Sequence, residues 1–347
     1  MMGKREALKA ILEGKPADRI PVIMNCCSLP AAQYGYDFGE CLFNPPKMTE
    51  CVVGSRKRMG YDGLFAGVYS CAGAIAGHLP IDERPVSMDG EGTIKCVEDL
   101  AKLNPFKPAM DPMLQSRIAT INMTREAEPD EPIYVITMHP TSVAFALIGA
   151  KPAFKSMVKN PDFFNAVALA VEDACITAYK ELAKTDLDFL WLPTPNFGGF
   201  CISRKTYEKC IYESNVRFMK RMREEVDCKV ILHTCGLYDD RLDLVLDEHG
   251  DAWHLADTST KKIKDLYGDK ISLMGTIPSV AGMMEMSPEE LYKFSYQECM
   301  DAAYDGRFIL SADCDVPPST TDENMMAVVQ AAKDAEKVLF ANATSDK

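Results

Sequence analysis

Short apolar runs rich in β-branched and aromatic residues alternate along the chain with longer amphipathic segments. This alternation is typical of α/β proteins, in which a helix follows each buried strand. Several of the amphipathic segments begin with Ser, Thr or Asn followed by Pro or an acidic residue, as helix starts often do. The runs predicted as strands are 19–25, 61–68, 133–140, 187–193, 229–236, 252–258, 271–277 and 307–315.

Eight strands separated by helices predict a (β/α)8 TIM barrel that occupies residues 1–347 as a single domain. In such a barrel the functional side chains collect at the C-terminal ends of the strands. The stretch 69–131 is longer than one crossover needs. We therefore expect an inserted lobe over the mouth of the barrel, helical around 97–103 and 111–127.

Polar and metal-binding side chains follow the apolar bodies of the predicted strands. In the stretch VILHTCG, His233 and Cys235 lie two residues apart, so an extended strand points both the same way. Cys314 ends the last predicted strand and supplies a third ligand candidate. One imidazole and two thiolates suit zinc with an open fourth position, which is typical of a catalytic site. Spacing alone leaves open an inert buried His–Cys pair and an unrelated cysteine.

Other strand ends carry candidate substrate contacts, namely Asn25, His139, Asn196 and Thr276. His139 could instead cap the following turn, and Asn196 follows Pro193 and Pro195 in a stretch that is also typical of a turn. Asp257 is a candidate catalytic residue that orients a zinc ligand or the substrate; capping the next helix is the alternative.

Composition narrows the class of partner. The formal net charge of −13 argues against nucleic acid or an anionic membrane surface. The N-terminus lacks the apolar core of a signal peptide, and no window reaches the roughly 18 apolar residues of a membrane span. We therefore expect a cytoplasmic protein whose 13 cysteines are reduced and serve as ligands or nucleophiles more readily than as bridges.

Three segments carry a family resemblance: GKREALKAILEGKPADRIPV near the start, HTCG at 233–236, and LSADCDVPPSTTDENMMAVVQAAK near the end. They resemble the uroporphyrinogen decarboxylase superfamily, and more closely its zinc-containing branch, the methylcobamide:coenzyme M methyltransferases and related corrinoid methyltransferases. In that branch a His-x-Cys pair and a distant Cys in a Cys-Asp-x-Pro-Pro setting bind zinc. The resemblance implies that His233, Cys235 and Cys314 bind zinc here, and Asp257 falls where the family often has an acidic residue.

The resemblance also implies an activity and a partner. A methyl group would move between a small molecule, either a thiol acceptor or a methylated donor, and the cobalt of a corrinoid. The cobalamin-binding pattern Asp-x-His-x-x-Gly is absent from the chain, so a separate corrinoid protein would supply that cofactor.

Two alternatives stay open at this point. A uroporphyrinogen decarboxylase-like lyase fits less well, because a substrate with many carboxylates needs cationic contacts and no Arg or Lys lies between Ile23 and Lys47. A barrel that binds zinc or a corrinoid protein without catalysis is not excluded by fold alone.

Overall fold

The structure is a computed structural model that describes residues 2–77 and 92–341. Its centre is a sheet of seven parallel strands whose spatial order follows the chain order. Such a sheet is built from repeated strand–helix units, as the alternating pattern predicts. The strands are β1 (Leu64–Val68), β2 (Ile133–Ile136), β3 (Phe189–Pro193), β4 (Lys229–His233), β5 (Ala252–His254), β6 (Ser272–Ile277) and β7 (Phe308–Ala312).

The prediction of a strand at 19–25 is wrong, because this segment forms only isolated β-bridges. Val22 pairs with Leu310 of β7, and Ile23 pairs with Asp62 just before β1. Pro21 has no N–H to donate, and the N–H of Ile20 donates to the Glu336 carboxylate at 2.6 Å. With these donors removed from the ladder, a continuous strand cannot form. The segment nevertheless hydrogen-bonds to both edges of the seven-stranded sheet.

The helices surround the sheet. They are α1 (Lys4–Leu12), α2 (Leu29–Gln33), α3 (Phe38–Leu42), α4 (Pro45–Met59), α5 (Ala72–Ala76), α6 (Pro112–Ala127), α7 (Pro140–Ile148), α8 (Ala150–Lys159), α9 (Pro161–Ala183), α10 (Arg204–Tyr207), α11 (Glu213–Glu225), α12 (Leu242–Glu248), α13 (Thr260–Tyr267), α14 (Pro288–Ala302) and α15 (Asp322–Leu339). A π-helical turn, Glu208–Tyr212, joins α10 to α11, and 3-10 turns lie at Val97–Lys102 and Pro108–Met110.

The helix starts follow the capping residues in the sequence. Asn44, Ser203 and Thr321 each accept a backbone N–H from the first turn of α4, α10 and α15. Ser287 and Glu290 form a reciprocal capping box at α14. These contacts satisfy N–H groups that have no partner within the helix.

An inserted lobe over 69–131 is not confirmed, and part of that range, 78–91, lies outside the described residues. Helix α6, predicted as part of the lobe, packs on the sheet as the crossover between β1 and β2. Its Arg117 is fully buried and donates to the carbonyls of Ala66 in β1 and Leu42. Ser116 also donates to the Leu42 carbonyl, at 2.9 Å. Because these contacts tie α6 to the sheet, the helix belongs to the repeating unit.

A row of aromatic rings crosses the interior along neighbouring strands. The rings of Tyr134 and Trp191 lie 5.2 Å apart, Trp191 meets His254 at 4.9 Å, and His254 stacks on His233 at 4.2 Å. All four residues are almost completely buried. The row therefore connects the core to the carboxyl ends of β4 and β5. Among the described residues, no helix is long and apolar enough to span a membrane.

Candidate metal centre

His233 is the last residue of β4, and Cys235 lies two residues further on. The imidazole is buried, with 2% of the residue exposed, while Cys235 is half-buried. Gly236 follows with a φ of 98°, a left-handed conformation that favours glycine. The chain can therefore turn away directly after Cys235, which leaves both side chains at the carboxyl edge of the sheet.

Cys314 reaches the same place from β7, two residues beyond the end of that strand. Its Sγ atom lies 3.9 Å from the Sγ atom of Cys235. The ligand atoms of His233, Cys235 and Cys314 all lie within 4.8 Å of one another. The structure thus brings together the three residues that the sequence singles out, although they come from strands that are not neighbours in the sheet.

The two thiols lie within hydrogen-bonding distance of each other. Hydrogen bonding with Cys235 lowers the pKa of the Cys314 thiol below its ordinary value. The same contact, together with burial, raises the pKa of Cys235 well above its ordinary value. One thiol of the pair thus ionises more readily because the other can donate a hydrogen bond to it. A divalent cation would replace the proton of that hydrogen bond and allow both thiols to ionise.

The tautomer of His233 also fits a metal. Its Nδ1 lies 3.4 Å from the carbonyl oxygen of His254, which can only accept, so Nδ1 carries the hydrogen. The lone pair is then on Nε2, which is buried and has no hydrogen-bond partner in the described structure. A ring whose one nitrogen donates to a carbonyl while the other is free is the arrangement of a metal-bound histidine. The donor set of His233, Cys235 and Cys314 therefore fits zinc.

His254 is a residue that sequence reasoning missed. Its backbone carbonyl orients His233, and its own Nε2 donates to the carbonyl of Ala312 at 2.7 Å. Ala312 ends β7 and stands two residues before Cys314. Burial holds the pKa of His254 well below its ordinary value, so the ring is neutral. His254 thus links the two chain segments that carry the candidate ligands.

The bridging segment meets the same edge. The Asn25 carbonyl accepts the N–H of Val316 at 2.7 Å, and the Asn25 side chain accepts from the Cys27 thiol at 3.2 Å. The N–H of Cys27 donates to Asp315 at 2.9 Å. Burial raises the pKa of Asp315 to about 6. Asn25 therefore lies beside the segment that carries Cys314, and Cys27 and Asp315 are further neighbours that the sequence did not single out.

Asp257 approaches the cluster from the segment after β5. One of its carboxylate oxygens lies 4.0 Å from the position that a Cβ atom would take at Gly236. Its φ of 49° is unusual for a residue other than glycine, and such backbone conformations concentrate at functional sites. The alternative role as a helix cap is filled by Ser259, which accepts the N–H of Lys262 at the start of α13. Asp257 is thus exposed beside Cys235.

The remaining predicted substrate contacts have other surroundings. His139 is fully buried with its ring 5.6 Å from that of Phe218 in α11, and burial lowers its pKa to about 3. Thr276 donates through its hydroxyl to the Leu255 carbonyl at 3.4 Å. Asn196 has a φ of 69° and belongs to a loop whose Gly198 packs on the backbone of Cys235. Asn196 thus lies in a segment that contacts the cluster.

Comparison with known families agrees with the fold. The model of the family described as "Uroporphyrinogen decarboxylase (URO-D)" matches residues 3–335 of the chain. The chain belongs to the uroporphyrinogen decarboxylase family. Among solved structures, a methyltransferase from Methanosarcina mazei superposes on this chain with a TM-score of 0.80. The two chains are 19% identical, and the match covers 96% of this chain and 99% of the methyltransferase.

Curated relatives of this family member are methyltransferases. The chain is 22% identical over 342 residues to the methylcobamide:CoM methyltransferase MtaA of Methanosarcina barkeri, which covers 93% of this chain and 96% of the relative. It is 24% identical over 203 residues to a methylated-thiol–coenzyme M methyltransferase of Methanosarcina mazei. That second match covers 58% of this chain and 53% of the relative, so the chain spans about half the length of that protein. These similarities support a methyltransferase.

Proposed function

We propose that the protein is a zinc-dependent corrinoid methyltransferase. It moves a methyl group between a small molecule and the cobalt of a corrinoid that a separate protein holds. The observation that carries this proposal is the convergence of His233, Cys235 and Cys314, whose ligand atoms lie within 4.8 Å of one another. The methyltransferase relatives support the reaction class. We also infer that residues 21–23 take the place of the first strand and close a (β/α)8 barrel around this site.

Zinc bound by these residues would supply a Lewis acid that lowers the pKa of a substrate thiol or activates the leaving group of a methylated substrate. The chain's own residues prepare the site for that role. Two thiolates and one neutral imidazole balance the charge of a divalent ion, so a substrate sulfur would keep much of its nucleophilic character. Asp257, exposed beside Cys235, would orient the substrate at the open position.

The arrangement of ligands favours catalysis over a structural metal. Three protein ligands leave one position of a tetrahedral ion open, and Cys235 and Cys314 are only half-buried. The sheet and its core form from apolar side chains without help from the cluster. The protein should therefore stay folded when a ligand is removed, unlike a protein whose fold depends on zinc.

Metal analysis tests the proposal. The purified protein is expected to hold one zinc per chain, and Cys235→Ser and Cys314→Ser are each expected to lose most of it while the circular dichroism spectrum stays unchanged. Cys96→Ser is the matched control, because Cys96 is an exposed cysteine outside the cluster. X-ray absorption at the zinc edge should show two sulfur ligands at about 2.3 Å. Full zinc occupancy in both cluster variants would refute the site.

A further inference from the structure

The described residues that directly follow the carboxyl end of each strand, and those after the bridging residues, include segments without lysine or arginine. They are 24–46, 69–77, 137–149, 194–203, 234–240, 255–260, 278–287 and 313–321. The loop after β4 reaches an arginine only at its last residue, Arg241, which pairs with Asp240 at 2.7 Å. The same segments carry eight aspartate or glutamate residues, which are Asp37, Glu40, Asp239, Asp240, Asp257, Glu285, Asp313 and Asp315. Three of these carboxylates are paired with cations: Glu40 with Lys47, Asp239 with Lys262 and Asp240 with Arg241.

Residues 92–111, which precede α6, carry three lysines. Lys102 pairs with Asp99 at 2.6 Å. Lys95 lines a cleft beside α8, and Lys107 lines another beside the start of α6. The contacts of these three lysines among the described residues are therefore at other surfaces, away from His233, Cys235 and Cys314.

Three of the carboxylates lie next to the metal-site cysteines. Asp257 stands beside Cys235, and Asp313 and Asp315 flank Cys314 in the sequence. Asp313 accepts the N–H of Ser279 at 2.9 Å, and Asp315 accepts the N–H of Cys27 at the same distance. Backbone amides therefore hold these two carboxylates in place of cations. Their negative charge is oriented but not neutralised.

The unpartnered Nε2 of His233 marks where a ligand binds within this acidic surrounding. A divalent ion there would be balanced by the thiolates of Cys235 and Cys314, so it would not offset the carboxylates as well. A substrate that approaches the cluster thus meets a negative potential. Repulsion between like charges in a partly buried site is screened less than on an open surface.

We propose that the small-molecule substrate of this site carries no anionic group: it is a neutral or cationic thiol or methylated compound, and a thiol with a sulfonate or carboxylate is disfavoured. The inference rests on the proposed function, since it concerns the substrate of the same site. Asp257 is the carboxylate best placed to set this preference, because it is exposed at the open side of the cluster.

Three thiols of equal chain length separate charge from shape. They are cysteamine, 2-mercaptoethanol and 2-mercaptoethanesulfonate, which carry a positive, a neutral and a negative end. Their binding to the zinc-loaded protein is measured by isothermal titration calorimetry at low ionic strength. Cysteamine and 2-mercaptoethanol are expected to bind at least about tenfold more tightly than the sulfonate. The difference should shrink at about 0.5 M salt, because ions screen the carboxylates.

Variants separate the charge effect from the intrinsic zinc affinity of each thiol. Asp257→Asn should reduce the preference against the sulfonate several-fold. Glu224→Gln, which removes the same charge from an exposed position on α11, should leave the preference unchanged. Equal or tighter binding of the sulfonate by the native protein overturns the inference while the proposed function stands. Loss of zinc and of all thiol binding overturns both.

Discussion

His254 shows how much of the candidate site depends on a residue that is not itself a ligand candidate. The imidazole stacks on His233, and its Nε2 hydrogen is donated to the carbonyl of Ala312 just before Cys314. Its backbone carbonyl fixes the tautomer of His233. Side chains that orient metal ligands in this way typically change metal affinity when they are replaced.

We expect His254→Leu to weaken zinc binding about ten- to hundredfold, because the His233 ring and the end of β7 lose a shared support. His254→Gln retains an amide donor for the Ala312 carbonyl and should recover part of that loss. Competition with a chromophoric chelator measures the affinity. With cobalt(II) in place of zinc, the visible spectrum of the leucine variant should shift, which a loss of core packing alone would not produce.

Tyr207→Phe is the control for general destabilisation. Tyr207 is as deeply buried as His254 and donates to Glu248 away from the cluster. This variant should lower the free energy of unfolding without changing zinc affinity. Equal zinc affinity in His254→Leu and the native protein would show that His254 only fills space.

The ligand candidates could be predicted from sequence because each lies at the end of an apolar strand or within two residues of it, as His233 and Cys314 do. His254 could not, since its role depends on the Ala312 carbonyl, which lies on a strand distant in sequence. His139 also ends an apolar run, yet its ring packs against Phe218 in the helix layer. The position of a residue along a strand predicts the direction of its side chain, but it does not predict which residues from other elements that side chain contacts.

At the scale of elements, a buried polar network joins the helices on one side of the sheet. Glu248 at the end of α12 accepts from Tyr207 of α10 and from Asn215 of α11, the latter at 2.8 Å. Thr141 of α7 donates to Asn215 at 3.0 Å. Burial raises the pKa of Glu248 to about 8 even though both hydrogen bonds act in the opposite direction. The carboxyl is therefore mostly protonated in the folded protein at neutral pH.

This shift makes the stability depend on pH. In the unfolded chain the Glu248 carboxyl ionises near its ordinary pKa of 4.5, so below that pH its contribution is fully present. The contribution is lost as the pH rises toward and through about 8, because only the unfolded chain then releases the proton freely. The native protein should lose stability over this interval relative to Glu248→Gln, which stays neutral. Urea unfolding at several pH values measures the difference.

Glu224→Gln again serves as the control, because an exposed carboxylate should not change the pH profile in this interval. If native protein and Glu248→Gln show parallel profiles, the carboxyl is ionised when folded. The amphipathic pattern and Ser203 predict the helical segment that contains α10 and α11. The sequence did not predict the network, since Thr141, Asn215 and Glu248 come from separate helices.

The molecule as a whole carries a formal charge of −13, with 51 acidic and 38 basic residues. The alternation of strands and helices was predictable for the seven strands of the sheet, because each lies within a short apolar run. Sequence did not predict that 19–25 forms isolated bridges instead of a strand. Pro21 has no N–H, and the carboxylates of Asp62 and Glu336 accept the N–H groups of Val22 and Ile20, which hydrophobic periodicity does not reveal. An inserted lobe over 69–131 is not confirmed, and α6 packs on the sheet through Arg117.

At this scale we predict dependence on a partner. The purified protein should be colourless, and methyl transfer should begin only when a corrinoid protein or methylcobalamin at high concentration is added. Visible absorbance of the purified chain and a methyl-transfer assay measure both points. Cobalamin copurifying at one equivalent per chain would contradict the prediction.

The bridging contacts of residues 21–23 bear on how the chain folds during synthesis. Val22 pairs with Leu310, and the N–H of Ile20 donates to Glu336 of α15. Residues 20–22 therefore contact β7 and α15, which lie about 300 residues later in the sequence. Contacts between residues so far apart in sequence form late, since a long loop must close first. While the ribosome is still making the second half, one side of the N-terminal segment has no neighbour. Chains that stop before β7 should accordingly be caught by chaperones or degraded.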